Sequence, residues 1–147
     1  MVSGKPGAIQ YGRPRTFVAL SLLYQGIDWI GSTWHVDHII PQADAQKNVL
    51  RGRNISEHRI QEVLGAVNRL GNLQLLRADE NIEKSALPFR SWITGRRLDF
   101  HDLHMIPDQL ELSDVMWLPE FVAERETLIR RRIRDVVGLG LAEPAVS

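Results

Sequence analysis

Trp34-His35-Val36-Asp37-His38-Ile39-Ile40-Pro41 sets a carboxylate and an imidazole side by side at the end of an apolar run closed by proline. Downstream, Gly71-Asn72 and Asn81-Ile82-Glu83-Lys84-Ser85 add two asparagines nine positions apart, the later one opening an N-x-x-K-S segment. Carboxylate, imidazole and carboxamide are the groups that one-metal hydrolysis of a phosphodiester needs. A metal must neutralise charge on the scissile phosphate and the leaving oxygen, a base must deprotonate water, and the attack must be in line. Asp37 offers a hard anionic oxygen suited to magnesium or manganese. His38, with an unperturbed pKa of about 6.5, is largely neutral at pH 7 and able to accept a proton. Asn81 can add a neutral carbonyl oxygen.

The adjacency carries a geometric difficulty. On a regular strand Asp37 and His38 point to opposite faces, so the strand must twist or bulge toward Pro41 for both to reach one phosphate. His35 shares a face with Asp37 and could be a third ligand or a phosphate contact. Arg51 and Arg53, close behind this strand in sequence, are candidates for phosphate contacts. Asn72 reads either as an ordinary turn residue after Gly71 or as a functional one, and Asn81 as a helix cap, a ligand, or both. His58, His101 and His104 read as surface or loop histidines. His101-x-x-His104 has a possible metal spacing but no further ligand to support it. Phe89, Trp92 and Trp117 read as core.

These groups need elements to hold them. Thr16–Tyr24 has helical spacing at Phe17, Leu20 and Leu23, with Gly26 ending it. Trp34–Ile40 is the best strand, rich in Val, Ile and Trp and stopped by Pro41. Residues 42–55 look polar and irregular. Ser56 is a plausible N-cap for a helix over 57–69, where Ile60, Val63, Val67 and Leu70 repeat at helical spacing and Gly71 closes the run. Asn72–Leu76 reads as a second strand, 78–85 as a turn leading into a helix, and 89–97 as a helical turn or loop around Trp92. Residues 99–107 look loop-like. Phe121/Val122, Arg125, Leu128/Ile129, Arg132/Ile133 and Val136/Val137 trace one stripe of a helix over 119–137 that Gly138 and Gly140 end, and Arg130-Arg131-Arg132-x-Arg134 reads as a solvated helix face in preference to a nucleic-acid patch. Residues 1–14 read as a loop-like, flexible N-terminal segment and the tail to Ser147 as frayed.

A length of 147 residues suits one domain with one real core. No apolar stretch reaches membrane-spanning length, and the N-terminus lacks the apolar region of a signal peptide. The chain has no cysteine, which excludes disulfides and any Cys-ligated zinc and fits a cytoplasmic location. Any metal must be held by oxygen and imidazole. The net charge of zero hides an asymmetry. Residues 1–98 carry 13 Lys/Arg against 8 Asp/Glu, whereas 99–147 carry 5 against 10. The basic part contains the Asp-His motif and could face a polyanion. A neutral domain should bind nucleic acid poorly alone, so help from another domain or partner is expected.

The D-H-I-x-P core, the two asparagines and N-x-x-K-S together resemble the HNH (ββα-metal) endonuclease family, and are close to the HNH domain of CRISPR effector nucleases. Over most of its length the chain looks still more like the C-terminal part of DUF262/DUF1524-type restriction and defence proteins. The residues carrying that likeness are Phe17–Tyr24, Gly71-Asn72-Leu73-Gln74-Leu75-Leu76 and the Arg-containing terminal helix. The resemblance implies an α+β fold, a β-hairpin plus helix over 35–85 gripping one divalent metal (Mg2+ or Mn2+) and embraced by additional helices. It implies Asp37 as first metal ligand, His38 as general base, Asn72 holding the hairpin loop and orienting that base, Asn81 as last ligand and Lys84 near the phosphate. The implied activity is DNA cleavage leaving 5′-phosphate and 3′-hydroxyl ends, with recognition supplied by an N-terminal domain or partner subunit. A predicted helix between the strands means an insertion of about 30 residues in the hairpin. With no zinc knuckle, flanking helices must brace the motif. The rival readings are a nucleic-acid-binding or regulatory module with a degenerate site, and a nuclease that cleaves RNA.

Overall fold

Alternation along two short strands sets the architecture. In the computed structural model, which describes residues 10–85 and 87–141, β1 (Trp34–His38) pairs antiparallel with β2 (Leu73–Arg77) in an unbroken register from Trp34↔Arg77 to His38↔Leu73. Helix α1 (Pro14–Leu23) precedes the hairpin, α2 (Lys47–Gly52) and α3 (Glu57–Ala66) fill the excursion between its strands, and α4 (Ala78–Ser85) follows it. Then come α5 (Phe89–Thr94), α6 (Leu98–His104) and α7 (Leu118–Leu141), with 3-10 turns at Gln42–Ala45, Leu70–Asn72, Leu110–Ser113 and Val115–Trp117. The fold is α+β, a ββα-type core of hairpin and α4 embraced by further helices. No described helix is long and apolar enough to cross a membrane.

One hairpin face carries Trp34, Val36, Leu73 and Leu75, which pack with Leu20, Leu23, Tyr24, Met105 and Ile129. The opposite face carries His35, Asp37, Gln74 and Leu76, as the period of two requires. After His38 the chain enters a second core, where Ile39 and Ile40 join Ile60 and Val63 of α3, Phe89 and Trp92 of α5, and Phe121 and Val122 of α7. His38 therefore marks the point where the chain passes from one core to the other.

Several expectations hold. Ser56 caps α3 by accepting from the Arg59 amide at 3.2 Å, both strands form, and the insertion between them, residues 39–72, is real. Others need correction. Residues 42–55 are largely helical, because Ala45 and Leu50 insert into the core. Helix α3 ends at Ala66, and Gly71 lies in the following 3-10 turn. Residues 78–85 are helix throughout, with Asp79 and Glu80 in the first turn and Lys84 in the last, the charge order that the helix dipole favours. Residues 99–107 contain most of α6, on which His104 is buried. Trp117 is 40% exposed, with the Arg59 guanidinium 5.8 Å from its ring centre. Helix α7 runs through Gly138 and Gly140 to Leu141. The segment over residues 1–9 and the tail from residue 142 lie outside the described residues.

Arg125, placed by spacing on the apolar stripe of α7, is fully buried. Its Nη1 donates to the carbonyls of Leu70, Gly71 and Leu73 at 3.2, 3.2 and 2.6 Å, and its Nε to that of His104 at 3.0 Å. Gly71 has to be glycine for this approach: a Cβ there would lie 2.7 Å from the Val122 carbonyl oxygen and 2.8 Å from its Cγ1. Next to Arg125, the Tyr24 hydroxyl meets His104 Nδ1 at 2.9 Å and accepts from the Leu75 amide at 3.3 Å. Arg125→Met would leave carbonyls short of donors in a dry site. It is expected to lower the unfolding free energy by about 3 kcal/mol, measured by urea denaturation; a loss below about 1 kcal/mol would contradict the role given to Arg125.

Burial, reinforced by the positive charges of Arg125 and Arg132, pushes His104 down to about 3. The unfolded chain takes up this proton near pH 6.5 while the folded chain refuses it. The stabilisation is thus complete above pH 6.5 and is lost as pH falls from there toward 3. Urea unfolding of wild type beside His104→Asn should show the wild type losing up to about 2 kcal/mol more between pH 7 and pH 5. Parallel curves would show that His104 does not titrate as described.

Candidate active site

The unbroken register sends Asp37 and His38 to opposite faces, and their partners differ accordingly. Asp37 faces α4. Its Oδ2 accepts from Gln74 Nε2 at 2.9 Å, the residue directly across the ladder, and pairs with Lys84 Nζ at 3.0 Å. Lys84 also donates to the His38 carbonyl at 2.8 Å and is only 4% exposed. The side chain expected at a phosphate is instead a buried strut between α4 and the end of β1. Asn81 lies one turn before Lys84 on the same face of α4, half-buried and with no side-chain hydrogen bond among the described residues. His35 is exposed two residues from Asp37 on the same strand face, also with no side-chain hydrogen bond among the described residues.

The His38 ring lies among different residues. Its Nε2 is 2.8 Å from Asn68 Oδ1, which also accepts from Gln42 Nε2 at 2.9 Å. Tyr11 packs on the ring with centroids 4.3 Å apart. Because the Asn68 oxygen can only accept, His38 must donate from Nε2, which leaves the lone pair on Nδ1. Burial lowers the His38 pKa, opposed by the Asn68 hydrogen bond and the nearby Asp37 charge. The ring is therefore neutral at pH 7, with one basic nitrogen.

Asn72 does not bond the His38 ring. It is fully buried, accepts from the Ile40 amide at 2.9 Å, and donates to the Ile40 and Val67 carbonyls at 3.0 and 2.9 Å. It fixes the turn that follows His38, while Asn68 holds the ring. Arg51 and Arg53 bond none of these side chains and are held in ion pairs, Arg51 with Glu57 at 2.6 Å and Arg53 bidentate with Asp114 at 3.0 and 3.1 Å. Sequence reasoning missed Asn68, Gln42, Tyr11 and Gln74. Asn68 sits at the end of a helical stripe and Tyr11 in a loop-like segment, so neither carried a local signal. Gln74 could have been found as the residue facing Asp37 once the strand register was drawn.

The donor set suits a hard cation. Asp37 Oδ1 has no protein hydrogen bond among the described residues, the Asn81 amide is free, and Gln74 Oε1 is buried without a partner. Among the described residues no three His, Cys, Asp or Glu cluster as ligands. The protein would offer one carboxylate and neutral oxygens, leaving other positions to water and phosphate, as magnesium sites commonly do.

Fold and site define a hairpin-plus-helix ββα-type core with Asp and His at the end of the hairpin where the 39–72 insertion leaves β1 and returns to β2. The family model of the C-terminal domain of GmrSD restriction endonucleases matches residues 11–132, and the chain belongs to that family, which makes it a domain of restriction-endonuclease type. No curated protein matches the chain.

The Asn68 contact is checked by 15N NMR of the imidazole. The wild type is expected to show His38 protonated on Nε2, and Asn68→Ala to lose that preference and lower the His38 pKa further. An unchanged tautomer and pKa in the variant would remove Asn68 from the site.

Proposed function

We propose that this domain is a metal-dependent HNH endonuclease that hydrolyses DNA phosphodiester bonds, acting in restriction and phage defence. The observation that carries the reading is the state of His38, neutral and held through Nε2 so that Nδ1 is the basic atom, beside a carboxylate with a free oxygen. His38 Nδ1 takes the proton of the attacking water. A magnesium or manganese ion on Asp37 and Asn81, with His35 and Gln74 Oε1 as further donors, would neutralise charge on the phosphate and the leaving 3′ oxygen. Lys84 keeps Asp37 and the end of β1 in place, and Asn72 keeps the turn behind the base. The products are 5′-phosphate and 3′-hydroxyl ends, as the HNH resemblance implies. A further N-terminal domain or partner subunit would supply recognition, in keeping with a family named for a C-terminal domain.

The Lys84 ammonium on Asp37 Oδ2 favours a second reading, a nucleic-acid-binding module whose carboxylate is neutralised by lysine instead of metal. A divalent-metal titration separates the two. Plasmid cleavage with magnesium, manganese or EDTA tests the first. Wild type should nick only with metal, His38→Ala should lose roughly 10²- to 10⁴-fold in rate while still binding metal, and Asp37→Ala should lose both. Cleavage by His38→Ala at the wild-type rate would show the base assignment to be wrong.

A further inference from the structure

We infer that the sugar–phosphate backbone of the substrate crosses the His38 end of the hairpin on Arg13, Arg15 and Lys47, and not on Arg51 and Arg53. This rests on the nuclease reading and adds the path that the polyanion takes.

The segment before α1 is tied to the site. Gln10 bridges to Arg69, the Tyr11 amide donates to the Asn68 carbonyl at 3.0 Å, and the buried Thr16 donates its hydroxyl to the Gln10 carbonyl. Tyr11 is thereby fixed on the His38 ring. Gly12 then turns the chain at φ +83°, a conformation that side chains disfavour. Arg13-Pro14-Arg15 follows directly, close in the chain to the Tyr11 that packs on the candidate base. Both arginines are exposed and make no ion pair or side-chain hydrogen bond among the described residues. The same His38–Asn68 pair adjoins a shallow groove of about 550 Å³ whose lining includes Gln42, Lys47, Asn48 and Asn68. Lys47 is exposed and likewise has no ion pair among the described residues.

Arg51 lines that groove too, but Glu57 holds its guanidinium, as Asp114 holds that of Arg53. A phosphate reaching either must displace a carboxylate and meets little net charge. At Arg13, Arg15 and Lys47 it meets a cation held in no ion pair among the described residues and releases condensed counterions, the source of most backbone affinity.

The test uses the His38→Ala chain, which leaves the substrate intact, and a fluorescein-labelled duplex followed by anisotropy over a salt series beginning at about 50 mM. Adding Arg13→Gln, Arg15→Gln and Lys47→Gln should weaken binding and lower the slope of log K against log salt by about 2.7, near 0.9 per lost contact. Adding Arg51→Gln and Arg53→Gln should leave the slope of the parent unchanged. The inference is overturned if the triple variant keeps the parent's slope, or if the Arg51/Arg53 pair loses as much. No binding by the parent at low salt, together with no plasmid cleavage by wild type, would remove the nuclease reading and this inference with it. Binding that the triple variant retains removes the inference alone.

Discussion

A buried cation that no carboxylate pairs among the described residues holds the chain together. Arg125 sits at zero exposure on α7 and is compensated by four backbone carbonyls, three of them within residues 70–73. A charge taken from water is tolerated only when dipoles surround it, so these carbonyls are fixed where the guanidinium needs them. That constraint spreads outward. The residues bound by Arg125 flank Asn72, whose amide clamps Ile40 and Val67, and the clamp sets the course of the chain just after His38. The terminal helix is thus wired to the candidate base through two steps of hydrogen bonding. It supplies the bracing that a zinc knuckle would otherwise give.

The site itself is divided by strand geometry. No bulge brings Asp37 and His38 to one side, because the register runs unbroken to His38. The carboxylate lies under α4 with Lys84 and Gln74, and the imidazole lies with Tyr11, Gln42 and Asn68. A phosphate served by both has to sit off the end of β1, where the two faces meet. The insertion between the strands then has a reason: it carries Gln42 and Asn68, which a two-residue hairpin turn could not provide.

What could be read from the residues was what depends on local pattern. Trp34–His38 is marked by its β-branched and aromatic residues and Leu73–Arg77 by a short apolar alternation, Ser56 by its position before a helical repeat, and Arg125 by falling on an apolar stripe. The motif residues Asp37, His38, Asn72 and Asn81 stood out through type and spacing. What could not be read depends on contacts distant in sequence. Lys84 is a strut because Asp37 lies opposite α4, Arg51 and Arg53 are engaged because Glu57 and Asp114 fold against them, and His104 is buried because Tyr24, 80 positions earlier, reaches its ring. Helices α2 and α6 escaped because they are short and held by tertiary packing rather than by propensity.

The proposed chemistry depends on His38 as a base whose Nδ1 is free because Asn68 holds Nε2. The most direct measurement is the pH dependence of single-turnover DNA cleavage by wild type and by Asn68→Asp at saturating metal. The wild-type rate should rise to a plateau with a midpoint below the ordinary histidine value of about 6.5, because burial lowers His38. Asn68→Asp, by putting a negative charge on Nε2–H, should move the midpoint upward. Identical profiles for the two proteins, or a wild-type rate that keeps climbing through alkaline pH, would contradict it.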